Sequence, residues 1–323
     1  MKLKNWAISA LLVLVIAVGS YLLSDVVPYF NAIIISLLLG ILAGNTLKLS
    51  KYKSEIKTIG SRTLEVSLVF LAFGIHLDQL GSSGGAGFML VIIMIALLLV
   101  IGFIIRPYHK GDHDTAWLIT FGTAICGSSA IAALGATKEG LQKESAVAIA
   151  VVNLIGTIGM LILPLLLVFF ESSDVFNGIF LGASLHSVGN VAGAAYTMNP
   201  DVGDLALTVK MSRIAMLSPF LIIVNLVQKR GQKKSILEMI KLPWYLIAFI
   251  AVTILSIWFQ VPESIEGNFK IAGNFFLSCA MAGIGLGLSF QYLWNNAKRG
   301  FLYGFLLFAV QLLLVLGLIY LLV

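Results

Sequence analysis

Lys210 and Arg213 lie three residues apart in the segment LTVKMSRIAML, inside an apolar run that holds no acidic partner for them. A charge left unpaired at the centre of a bilayer costs about 2.5–3.5 kcal/mol even on lenient insertion scales. Such residues therefore call for a purpose. On one helical face, an ammonium beside a guanidinium suits a dianion. The plainer alternative is that Lys210, near the start of the run, snorkels to the headgroups.

A second polar set stands in GASLHSVGNVAGAA, residues Gly182 to Ala195, where His186 and Asn190 are four apart and so share one helical face. Asn153 adds another amide at membrane depth. Polar groups there normally face a bundle interior or a pathway, although a lone histidine also serves as hydrogen-bonded glue between helices. We read this set as the lining of a hydrated cavity.

Two glycine-containing stretches complete the candidates: CGSSA, with Cys126, Gly127, Ser128 and Ser129, and AGIGLGL, with Gly283 and Gly285. Non-helical backbone at membrane depth is tolerated only where protein or a water-filled cavity surrounds it. Both stretches are expected to be broken helices. A helix N-terminus exposed at a break offers unpaired N–H groups and a positive dipole end, which suits an anion. Glycines alone equally permit close helix packing, but the hydroxyls of Ser128 and Ser129 add more than packing requires.

The elements that would position these groups are membrane spans. Of 323 residues, 59% are hydrophobic and only 11% charged, and the mean hydropathy is +1.01. That composition excludes a soluble domain of this length. Apolar runs long enough to cross a bilayer occur at about 6–23, 31–47, 63–80, 88–105, 115–136, 145–170, 175–197, 205–227, 243–261, 269–290 and 300–323. We count eleven spans, an all-α integral membrane protein forming one domain over 1–323. The run at 6–23 is read as an extra N-terminal helix rather than a signal peptide, because it lacks a clear small-x-small cleavage site and leads into further spans.

Charge orients the chain. With the N-terminus inside, Lys2, Lys4 and the clusters within 48–62, 106–110, 229–241 and 298–299 are cytoplasmic, leaving Lys138, Lys143 and Lys270 outside. The positive-inside rule then places the C-terminus outside in the cell membrane. These loops account for the net charge of +6 without a nucleic-acid partner. Cys126 and Cys279 both fall in spans and imply no disulfide framework. Glu65 and Asp78 border the third run, so no span carries a central carboxylate of the kind that many antiporters use to bind a driving ion. Sodium held by carbonyls and hydroxyls, or a proton, remains open as a coupling ion, and no cofactor is expected. No G-x-x-x-x-G-K-[ST] loop is present, which excludes direct ATP drive within this chain.

Two internal similarities appear. LEVSLVFLAFGIHLDQL (64–80) resembles FFLSCAMAGIGLGLSFQYL (275–293), in spans that would run in opposite directions, as in an inverted repeat with halves at about 31–170 and 175–323. GTAICGSSAIAALGA (122–136) resembles GASLHSVGNVAGAAY (182–196), in spans that would run the same way. The two do not fit one five-plus-five scheme.

AICGSSAIAA, GASLHSVGNVAGAA and VKMSRIAMLSPFLI, taken together and in this order, resemble the YeiH-type bacterial membrane proteins, a family labelled as sulfate exporters. The resemblance implies a secondary transporter related to the bile-acid/sodium symporter and cation/proton antiporter fold, with a panel domain, a core domain and two crossing discontinuous helices. Carried onto this chain, those would be the fifth and tenth runs. The chain departs from the family pattern after the histidine, where Ser187 and Asn190 stand in place of an acid and a glutamine. We expect a carrier of a small anion, in the sulfate, sulfite or sulfonate class, working by alternating access. A sodium- or proton-coupled organic-acid carrier and an anion channel are the alternatives. Assembly as a homodimer is left open. An intramembrane enzyme built on Ser128, Ser129, Cys126 and His186 is disfavoured, since no nucleophile motif accompanies them.

Overall fold

The computed structural model describes residues 2–24, 26, 31–47, 49, 51–74, 83–108, 113–135, 140–217, 219–220, 222–223, 244–259, 261–288 and 298–322. Within them lie thirteen α-helices: α1 Lys2–Ser24, α2 Ala32–Thr46, α3 Lys53–Leu71, α4 Ser83–Ile105, α5 His113–Ala124, α6 Ser128–Gly135, α7 Gln142–Phe169, α8 Asp174–Ser184, α9 Val188–Ala195, α10 Pro200–Ala215, α11 Trp244–Phe259, α12 Glu263–Gly287 and α13 Lys298–Leu322.

Helix starts follow local chemistry. Asn31, Ser173, Ser187 and Asn199 each cap the helix that follows, their side-chain oxygens accepting a backbone N–H three residues on. Pro200, at the first position of α10, has no N–H to lose.

Seven of the eleven apolar runs are single helices. Five are long and apolar enough to cross a membrane, at Lys4–Ser24, Gly87–Ile105, Gln142–Phe169, Ile265–Gly287 and Gly300–Leu322, and Ala32–Thr46 and Trp244–Ser256 are shorter apolar helices. The third run begins a helix earlier than expected, at Lys53, and its residues 75–80 lie outside the described residues. The eighth also begins early, at Pro200. The runs at 115–136 and 175–197 are each two helices with an interruption between them.

The helices form two packed groups. In the first, α12 lies along α2 and α3 with α1 against them, around Val13, Ile16, Ile56, Ile59, Cys279 and Leu286. In the second, α4 to α10 and α13 pack together in the larger core, to which α2, α3, α11 and α12 also contribute through Leu37, Leu71, Leu246 and Met281. Tyr303 ties three of those helices, meeting Thr120 Oγ1 at 2.8 Å and donating to Gly102 O at 3.1 Å. Apolar side chains point outward along α13, among them Leu302, Phe305, Leu313 and Leu321, as a lipid-facing surface requires.

The expected break at Gly283 and Gly285 is not there. Helix α12 is continuous through Gly287, and these glycines let backbones touch. A Cβ on Gly283 would lie 2.8 Å from Gly60 Cα, and one on Gly285 would lie 2.5 Å from Leu37 O. Gly40 and Gly44 complete the seam from α2, each with a Cβ position 2.6 Å from a carbonyl oxygen of α12. The alternation of glycines thus serves close helix contact, and the second interrupted helix is the seventh run rather than the tenth.

Candidate functional site

Helix α5 stops at Ala124 and the chain turns through Ile125, Cys126 and Gly127 before α6 restarts at Ser128. Gly127 has φ +72°, a left-handed conformation that glycine alone adopts freely, and its N–H reaches back to Gly122 O at 2.8 Å. Helix α8 stops at Ser184, where Leu185 turns extended (φ −68°, ψ 149°). Ser187 then caps α9, its Oγ accepting the Asn190 N–H at 3.1 Å.

The two interruptions lie against each other. A Cβ on Gly127 would stand 3.4 Å from His186 O, so a larger residue there would press on the second break. The segments that share the motif at 122–136 and 182–196 are thus the two that break.

Each interruption leaves helix C-terminal carbonyls without intrahelical partners, and α10 supplies the donors. Arg213 donates through Nη1 to Ala183 O at 2.6 Å, Leu185 O at 2.9 Å and Gly182 O at 3.4 Å, and through Nη2 to Thr123 O at 2.8 Å and Ala124 O at 3.1 Å. Lys210 Nζ donates to Leu185 O at 2.7 Å and Ile125 O at 3.2 Å. Both side chains are fully buried, at 0% exposure. The expected pocket for a dianion between them is instead filled by main chain: carbonyls take both Nη atoms of Arg213 and two bonds from Lys210 Nζ, while Arg213 Nε has no partner among the described residues. Snorkelling is excluded by the same burial.

Gln311, in α13, adds a donor to Ala183 O at 3.1 Å. It was not among the expected site residues, although a lone amide in the apolar stretch AVQLLLV was a visible signal.

The electrostatics follow from these bonds. Cations at helix C-termini offset the negative dipole end. Among the described residues neither Lys210 nor Arg213 is ion-paired with a carboxylate. The positive N-terminal ends of α6 and α9 begin within three residues of the carbonyls that hold the cations.

His186 sits inside the second break, 1% exposed, immediately after the Leu185 carbonyl that both cations hold. Among the described residues neither of its ring nitrogens has a hydrogen-bond partner. Its ring lies 4.9 Å from that of Phe308 in α13. A buried polar group left unsatisfied costs about 1–3 kcal/mol. Asn190 is buried and packs over Gly156 of α7, whose missing side chain makes room for the Asn190 amide and for His186 Cβ. Asn153, half-buried, is one turn before Gly156.

Of the expected site residues, Gly127, His186, Asn190, Lys210 and Arg213 are brought together, with Asn153 beside them on α7. Cys126 is a buried free thiol within the first turn. Ser128 is half-buried and Ser129 exposed at the start of α6. Gly283 and Gly285 belong to the other helix group. A buried acid was also missed. Asp204, 1% exposed, receives a hydrogen bond from Tyr196 Oη at 2.6 Å and pairs with Lys270 at 3.2 Å.

Comparison with known proteins places this geometry in a lineage. The family described as Conserved hypothetical protein 698 matches residues 9–304. A UPF0324 membrane protein of Wolinella succinogenes is 30% identical over 306 residues, covering 92% of both chains. One from Lactiplantibacillus plantarum is 30% identical over 315 residues, covering 94% of both. The UPF0324 inner membrane protein YeiH of Escherichia coli K12 is 28% identical over 289 residues, 87% of this chain and 82% of that one. Among solved structures, the sodium proton antiporter of Methanocaldococcus jannaschii aligns over 95% of this chain and 100% of its own at 15% identity, with a TM-score of 0.32, too low to imply a shared fold.

Proposed function

The chain belongs to the Conserved hypothetical protein 698 family of UPF0324 membrane proteins, and we propose that it carries a small anion across the membrane by alternating access. The observation that carries this reading is the set of charges at the paired helix breaks. Lys210 and Arg213 contribute two positive charges. The C-terminal helix ends they hold contribute roughly −0.5 each and the restarting N-termini roughly +0.5 each. With no carboxylate paired to Lys210 or Arg213 among the described residues, the breaks keep an excess of positive charge, which a mono- or dianion offsets.

In this reading Lys210 and Arg213 are fixed charges beneath the site, and the ligand meets other groups. The N–H groups opening α6 and α9 take the anion's oxygens. Ser128, Ser129, Asn153 and Asn190 supply directional bonds, and His186 uses its unpartnered nitrogens. Cys126 shapes the turn. Oxyanions of the sulfate, sulfite and sulfonate class suit such a site, having several acceptor oxygens and one or two charges. Alternating access would move the group of α1, α2, α3 and α12 against the group that holds the two interrupted helices. The N-terminus would face the cytoplasm, as the loop charges favour.

The test uses purified full-length protein in liposomes. Labelled sulfate, sulfite and a small sulfonate are offered in counterflow, alongside carboxylates, with Ser128→Ala and His186→Phe as comparisons. A saturable exchange of an oxyanion, reduced at least tenfold in both variants, is the expected result. Exchange of carboxylates alone would favour an organic-acid carrier. Flux that does not saturate, or is unchanged in the variants, would overturn the site.

A further inference from the structure

Among the described residues a second buried ionic group lies at the other end of α10. Asp204 accepts the Tyr196 hydroxyl on Oδ1 at 2.6 Å, and its Oδ2 lies 3.2 Å from Lys270 Nζ. Lys270 also pairs with Glu266 Oε1 at 3.0 Å. One lysine thus serves two carboxylates. Asp204 is 1% exposed, whereas Lys270 keeps a quarter of its side chain exposed.

Its place in the fold sets this cluster apart. Asp204 is in α10, within the helix group that holds the breaks, while Lys270 and Glu266 are in α12, within the other group. Among the described residues the remaining ion pairs each lie within a single helix, so Asp204–Lys270 is the one that joins the groups. From Asp204, α10 runs on without interruption to Lys210 and Arg213, about 9 and 14 Å along the axis at 1.5 Å per residue. One rigid rod therefore links this pair to the carbonyls at both breaks.

We propose that Asp204 is the proton-binding site of the carrier, and that its protonation releases α12 from α10. This rests on the anion-carrier reading for its consequence, though the proton site is defined without it. In the deprotonated state the carboxylate holds Lys270 and clasps the two groups. One proton from the adjoining aqueous phase then adds to Oδ2, forming a neutral carboxylic acid, and no other covalent bond changes. The ion pair is lost, the hydrogen bond with Tyr196 remains, and Lys270 stays with Glu266. Among the described residues the titratable and charged groups facing Asp204 are Tyr196, Lys270 and Glu266, of which only Lys270 opposes its charge. Reclasping requires the proton to leave, so a pH gradient biases the relative position of the groups.

Three measurements on the full chain test this, with Asp204→Asn imitating the protonated state and Lys270→Gln removing the clasp from the other side. Infrared difference spectra between pH 5 and pH 8 should contain a carboxylic-acid C=O band that Asp204→Asn removes. Hydrogen exchange at one fixed pH should be several-fold faster over 200–208 and 263–272 in both variants than in the parent. In liposomes, a pH gradient should drive sulfate accumulation in the parent, and in Asp204→Asn and Lys270→Gln accumulation should fall to its level without a gradient. A band that survives in Asp204→Asn, unchanged exchange in both variants, or retained gradient-driven accumulation would overturn the proposal. If no anion is carried by any form but the band and the exchange behave as stated, the anion reading falls and the proton site stands. If Asp204→Asn does not fold, Lys270→Gln carries the exchange and accumulation tests alone.

Discussion

Arg213 and Gln311 reach the same acceptor from different helices: Ala183 O takes Nη1 of Arg213 at 2.6 Å and Nε2 of Gln311 at 3.1 Å. The C-terminus of α8 is thereby fastened to α10 and α13 together. The carbonyl belongs to a helix that stops in the middle of a buried region, so removing a donor exposes main chain to an apolar surround.

Arg213→Met should therefore act on folding before it acts on transport. It strips donors from five carbonyls, and breaking a buried charge arrangement of this kind costs about 3–5 kcal/mol. Thermal unfolding in detergent should show a large loss of Tm or no folded protein. Arg213→Lys should not rescue it, since an ammonium cannot span both helix ends in one plane. Gln311→Leu, which removes one neutral donor, should cost about 1 kcal/mol.

His186→Phe should have the opposite balance. The imidazole makes no hydrogen bond among the described residues, so replacing it with an apolar ring beside Phe308 should leave Tm unchanged or raised, because an unsatisfied buried group is removed. Oxyanion counterflow should fall at least tenfold. A fall in Tm of more than a few degrees would mean that the histidine is structural.

Gly127→Ala tests the turn itself. At φ +72° an L-residue is strained by about 1–2 kcal/mol, and the new methyl would stand 3.4 Å from His186 O. Modest destabilisation with a marked loss of transport is expected, measured as Tm and counterflow on the same preparation. Gly156→Ala should show the same split, because its methyl collides with the Asn190 amide.

Gly283→Val should damage the other helix group and leave the breaks alone. The nearest atoms to the added Cβ are α3 backbone, Gly60 Cα at 2.8 Å, Gly60 N at 3.2 Å and Ile56 O at 3.4 Å, and overpacking of this kind costs about 1–3 kcal/mol. Hydrogen exchange should quicken in α3 and α12 while 182–195 keeps its protection. Equal loosening of both regions would show that the groups do not yield separately.

The sequence carried some of this plainly and hid the rest for physical reasons. The break at Cys126–Gly127 was legible because a glycine followed by two serines is a poor helix interior. The break at Leu185–Ser187 was legible only as polarity, since Leu185, His186 and Ser187 are all tolerated in helices and the interruption depends on carbonyls collected by α10. The glycines of α12 misled because a break and a close contact demand the same residue, and only Gly40, Gly44 and Gly60 on other helices decide between them. Lys210 and Arg213 were rightly singled out as costly, but the acceptors that compensate them are main-chain atoms, which have no signature in side-chain type. Asp204 escaped because it stands one residue before the apolar run that begins at 205, where an acid reads as an interfacial group.

The guanidinium that closes both breaks also orders the life of the nascent chain. Arg213 is 90 residues downstream of Thr123, an interval of about 5 to 18 s at ordinary rates of synthesis. For that time α5 has left the ribosome with an open carbonyl end and no fastener, and α8, whose Ala183 is 30 residues before Arg213, shares that state for about 1.5 to 6 s. They have to wait, shielded by the insertion machinery or by water, until α10 arrives, so a ribosome stalled between 196 and 212 should leave an intermediate prone to degradation.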